Sequence, residues 1–76
     1  MSPTQGMIRN LLDSLMSQVG YRLEITDNNT VRYMSSAQDR YLEVSCDPSA
    51  FIIRSFLYFG GRFQLHEDCR VIYFRV

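Results

Sequence analysis

Residues 50 to 59 read Ala-Phe-Ile-Ile-Arg-Ser-Phe-Leu-Tyr-Phe, and only Arg54 and Ser55 interrupt the apolar side chains. Whatever this segment becomes, it must be covered on every side that it presents. The chain around it has 76 residues, near the lower limit for a lone core, and is expected to form a single domain over residues 1–76. Asp47-Pro48-Ser49 before the segment reads as an acidic cap with proline in the first helical turn. Gly60-Gly61 after it reads as a helix stop. A strand is the competing assignment, because phenylalanine and isoleucine favour sheets. The cap and the double glycine favour a helix, and a helix apolar all round exceeds what one small sheet can cover.

The rest of the chain is more regular. A first helix is expected from Pro3 or Thr4 to Val19, with Ser2 as N-cap, Pro3 at the first helical position and Gly20 just past the end. Its apolar residues, Met7, Ile8, Leu11, Leu12, Leu15, Met16 and Val19, span about half the circumference, wide enough to touch two surfaces. Residues 21–26 and 30–35 alternate around Asp27-Asn28-Asn29, a hairpin signal. Tyr21, Leu23, Ile25, Val31 and Tyr33 then face inward; Arg22, Glu24, Arg32 and Met34 face outward. Residues 40–45 form a third strand with Leu42 and Val44 inward and Tyr41 and Glu43 outward. Residues 62–66 and 69–76 complete the sheet around a turn at Glu67-Asp68. The last of these strands is apolar on both faces, so it belongs in the middle of a sheet or against another chain. The expected fold is therefore α+β in the order α-β-β-β-α-β-β, with two helices packed on a mostly antiparallel sheet. That order is similar in outline to a double-stranded-RNA-binding domain, whose last helix opens with basic residues where this chain has Asp47-Pro48-Ser49-Ala50-Phe51. It is also similar, in element order, to the dimeric secretion chaperones that carry effectors in bacteria.

Little in the sequence points to catalysis. His66 and Cys69 form a single H-x-x-C without the second pair that a zinc site uses, so no metal and no cofactor is expected. Cys46 precedes the expected helix start, which lowers a thiol pKa, but Asp47 beside it acts the other way. Glu24 and Glu43 share the outer sheet face with Arg22 and Arg32, which suits cross-strand ion pairing better than acid–base chemistry. No nucleophile elbow, phosphate loop or dinucleotide fingerprint is present. Two cysteines are too few for a disulfide scaffold, and reduced thiols in a cytoplasmic setting are expected.

Binding is the better expectation. The basic residues number eight and are all arginine, and eight carboxylates balance them to zero net charge. That balance weakens any phosphate-driven affinity and disfavours a membrane surface. Arginine, tyrosine, phenylalanine and methionine are the types enriched at protein interfaces. The sequence thus predicts a non-catalytic protein-binding module (an adaptor, a chaperone-like carrier or an inhibitor) working as a homodimer. Its expected interface residues are Phe56, Tyr58, Phe59 and Tyr73, with Arg54 as the charged anchor. The alternative is a nucleic-acid module that stacks bases on the outer sheet face through Arg22, Arg32 and Tyr41.

Overall fold

In the computed structural model, which describes residues 1–25, 27, 29–47 and 50–72, one helix lies across a five-stranded antiparallel sheet. The elements are α1 (Pro3–Gln18), β1 (Tyr21–Ile25), β2 (Thr30–Ser35), β3 (Arg40–Asp47), β4 (Ala50–Phe59) and β5 (Arg62–Ile72). The strands lie side by side in chain order, β1-β2-β3-β4-β5.

The N-terminal half follows from its local chemistry. Ser2 and Gln5 form a reciprocal capping box: Gln5 N–H donates to Ser2 Oγ at 3.2 Å, and Ser2 N–H donates to Gln5 Oε1 at 2.9 Å. Pro3 occupies the first turn, and Gly20, at φ 84°, turns the chain out of the helix. Gln5 is buried, and its amide nitrogen donates to the carbonyls of Thr30 (3.2 Å) and Asp27, tying the helix start to the first hairpin. Asp27 Oδ1 accepts from Asn29 N–H at 2.9 Å, an Asx turn. Between β2 and β3, Ser35 Oγ donates to Asp39 Oδ1 at 2.9 Å and accepts from the backbone N–H of Asp39 and Arg40.

The core is Ile8, Val31, Tyr33 and Val44, all almost fully enclosed, with Leu12, Met16, Tyr21, Leu23, Cys46, Phe51 and Ile53 packed around them. Each enclosed aliphatic side chain contributes about 1.5–3 kcal/mol relative to exposure. Helix α1 packs mainly on β1, β2 and β3. Its Leu11, Leu15 and Val19 remain more than half exposed, so the second surface expected for this helix is not covered.

Residues 50–59 are a strand, and the expected order of two helices among five strands is replaced by α-β-β-β-β-β. The physical reason is coverage. A helix would have needed shelter on all sides, whereas a strand divides the same residues between two faces. Phe51 and Ile53 join the core under α1, while Ile52, Arg54, Phe56 and Tyr58 point to the other face. Gly60 and Gly61, at φ 64° and 83°, form the two-residue turn of a β4–β5 hairpin in place of a helix stop. The turn expected at Glu67-Asp68 is also absent: β5 runs through it, and a β-bulge opposite Ser55 and Phe56 leaves His66 without a partner residue. Charged residues there protect a sheet edge and do not end a strand. β5 is terminal in the sheet, not central. The likenesses to the RNA-binding domain and the secretion chaperones rested on the second helix and fall with it.

Candidate binding face

The sheet face away from α1 is ordered in rows by the strand register. One row crosses all five strands as Glu24, Arg32, Glu43, Arg54 and Asp68, alternating in charge at every step. Beside it runs Arg22, Met34, Tyr41, Phe56 and Leu65, and then the pair Tyr58 and Phe63 near the β4–β5 turn. Direct cross-strand neighbours stand close enough for rings and long side chains to touch.

They do touch. The Arg32 guanidinium lies 4.1 Å from the Tyr41 ring centre. Tyr41 stacks on Phe56 at 4.6 Å and 15°, and Phe63 meets Tyr41 edge-on at 4.9 Å. Tyr58 meets Phe63 edge-on at 5.1 Å. This cluster encloses Met34 and Tyr41, each only 8% exposed, although the alternation placed both outward into water. Burial raises the Tyr41 phenol above its ordinary pKa, and the Arg32 charge opposes that rise. At the hairpin end the cluster opens to solvent: Tyr58 is 52% and Leu65 54% exposed. The Tyr58 backbone is anchored there by its N–H, which donates to Asp39 O at 2.8 Å.

The charge row is looser. Arg54 stands 3.9 Å from Glu43 and 3.8 Å from Asp68, with much of each side chain in water, so these pairs are worth about 0–1 kcal/mol. Arg32 lies between Glu24 and Glu43 in the register, which separates the two carboxylates. Arg32 Nε is enclosed and has no hydrogen-bond partner among the described residues. Arg22 is exposed and forms no ion pair among the described residues.

Arg54, Phe56 and Tyr58 therefore share one face with Arg22, Arg32 and Tyr41, and the two sets expected to serve different functions form a single surface. Phe59 is exposed but lies on the opposite side, paired with Arg62. Tyr73 lies outside the described residues. The sequence reading missed Phe63, Leu65 and the enclosure of Met34; reading 50–59 as a strand and running its register into β5 would have placed all of them.

Other chemistry-bearing groups are dispersed or engaged. Cys46 is half-buried against the core, and Cys69 is exposed on β5 with β4 between them. No helix follows Cys46, which lies in β3 with β4 as the next element. No group of three or more His, Cys, Asp or Glu side chains suited to an ion occurs among the described residues. A cleft between α1 and β1 is lined by Asp13, Ser17, Tyr21, Arg22, Leu23 and Tyr33. Asp13 there accepts from Tyr33 Oη at 2.6 Å and from Arg9 Nε at 2.8 Å. No helix among the described residues is long and apolar enough to cross a membrane.

By fold, the chain is a small α+β domain: one helix laid over half of an antiparallel meander, with an aromatic cluster on the bare face. It matches no protein-family model, no curated protein and no solved structure.

Proposed function

We propose that this chain is a small, non-catalytic protein-binding module (an adaptor, carrier or inhibitor) acting as a homodimer, and that it docks its partner on the open sheet face. The observation that carries the reading is the aromatic cluster, packed on itself at Tyr41 and Phe56 yet more than half exposed at Tyr58 and Leu65. A rigid aromatic patch with a wet rim is the usual anchor of a protein interface. The face sets the partner's chemistry. Tyr58, Phe63 and Leu65 receive an apolar side chain. Arg22, four strand spacings away across about 19 Å, receives a carboxylate. Nucleic acid is less well served. Tyr41 is covered by Arg32 and Phe56 and offers no free ring to a base, and Arg54 stands between two carboxylates.

The test compares the native chain with Leu65→Arg and Tyr58→Asp, each checked for an unchanged far-ultraviolet spectrum. A photo-crosslinker at Phe63 should capture a protein from the native host through a segment that carries both an apolar residue and a carboxylate. Both variants should lose that capture. Capture that is indifferent to both variants overturns the reading. So does micromolar, salt-dependent binding of short single-stranded RNA or DNA that Arg22→Ala and Arg32→Ala abolish.

A further inference from the structure

We infer that two copies of this chain join edge to edge along β5, antiparallel, about a two-fold axis at Cys69, so that Asp68 of each faces Arg70 of the other. The inference rests on the homodimeric part of the proposed function and uses a different surface from the docking face.

The two edges of the sheet are unequal. β1 has 5 residues and β5 has 11. An edge strand presents unpaired backbone donors and acceptors, and proteins blunt such edges with bulges and charges. On β5 the blunting is confined to one half. The bulge at His66 breaks the strand between Leu65 and Glu67, and from Glu67 to Ile72 the pairing with β4 continues without interruption. That second half is a straight, pairable edge.

Symmetry restricts how the edge can meet a copy of itself. An antiparallel pair of identical strands has its two-fold axis perpendicular to the sheet, and residues directly opposite each other point to the same face. The axis must then pass through a residue position, because a half-step would set an upward side chain against a downward one. Centred on Asp68, the strand brings two carboxylates face to face. Centred on Arg70, it brings two guanidinium groups face to face. Centred on Cys69, Asp68 meets Arg70 twice, and Glu67 meets Val71. Like charges directly opposite are unfavourable and opposite charges favourable, so of these three registers the charges favour the third.

Two further features agree with it. The charge row on the open face ends at Asp68, whose side chain is more than half exposed beyond its contact with Arg54. Arg70 of the partner subunit would continue the alternation as the next rung. Helix α1 packs mainly on β1 to β3, away from β5, so the two helices of the dimer lie toward its far ends. In this register the two Cys69 residues face each other. Their Cα atoms are about 4.5 or 5.5 Å apart in either kind of antiparallel pair, within the range that a disulfide spans.

Sedimentation of the full chain across the micromolar range should show a reversible dimer. Mild oxidation with diamide, which takes up the two thiol hydrogens as it becomes the hydrazine, should join Cys69 to Cys69. Peptide mapping identifies that bond and separates it from any involving Cys46. Asp68→Arg and Arg70→Asp should each weaken association about tenfold or more. The double variant Asp68→Arg/Arg70→Asp should restore it, because the exchanged charges face each other again; that rescue also excludes misfolding as the cause. A chain that stays monomeric throughout overturns the inference. So does a dimer whose oxidation leaves out Cys69, or one that the double variant fails to restore. Leu65→Arg, which removes the docking anchor, should leave the dimer intact, so that this inference and the docking reading fail separately.

Discussion

Tyr33 is almost wholly enclosed, and its hydroxyl donates to Asp13 at 2.6 Å across the boundary between sheet and helix. Burial, and then the carboxylate beside it, raise the phenol well above its ordinary pKa of 10. The unfolded chain therefore loses this proton at a lower pH than the folded one. The stabilisation is complete below about pH 10 and is lost as pH rises toward the folded value, at up to about 1.4 kcal/mol per pH unit. Urea denaturation between pH 9 and 11 should show this decline, and Tyr33→Phe should make it shallower, leaving the part due to Tyr41, while lowering stability at neutral pH. Gln5 is the other side chain on which much depends. It completes the capping box and donates to two carbonyls of the first hairpin. Gln5→Ala should cost about 2–3 kcal/mol in chemical denaturation, the sum of a lost cap and carbonyls left without donors. The sequence marks Ser2 and Pro3 as a helix start but does not show that Gln5 reaches beyond its own helix. A buried glutamine has no signature in periodicity, because its partners are backbone atoms more than twenty residues away.

The β4–β5 hairpin is where reading the sequence and folding it part company. Helix α1, the first hairpin and the inward and outward faces of β1 to β3 are legible, because caps, an Asx turn and strict alternation each have one local meaning. Asp47-Pro48 and Gly60-Gly61 do not. Proline and glycine punctuate helices and hairpins alike, and the choice between them is made by the amount of apolar surface the rest of the chain can cover, which is a tertiary quantity. The same ambiguity hid half of the candidate face. Arg22, Arg32 and Tyr41 could be placed by alternation alone, but their union with Phe56, Tyr58 and Phe63 exists only once β4 is a strand. The turn offers a direct check. Gly61 adopts φ 83°, and a Cβ added there would meet nothing within 4 Å, so Gly61→Ala isolates the backbone strain. It should cost about 1–2 kcal/mol, read as a melting temperature lower by several degrees.

Across the whole molecule, protection from solvent is uneven. The chain measures 43 Å along its long axis and 21 Å across, and its buried core lies beneath α1. Amide hydrogens of Val31, Tyr33 and Val44 should exchange at least about tenfold more slowly than those between Leu57 and Leu65, where only the aromatic cluster supports the strands; exchange followed by mass spectrometry or NMR measures the ratio. The helix packs mainly on β1 to β3, and this has a thermodynamic consequence. The hairpin end of β4 and β5 forms a single layer, and in the homodimer proposed above a second copy covers the β5 edge. Mass action then enters the unfolding equilibrium. The temperature at which the protein unfolds should climb as more of it is dissolved, and dilution alone should be enough to soften it.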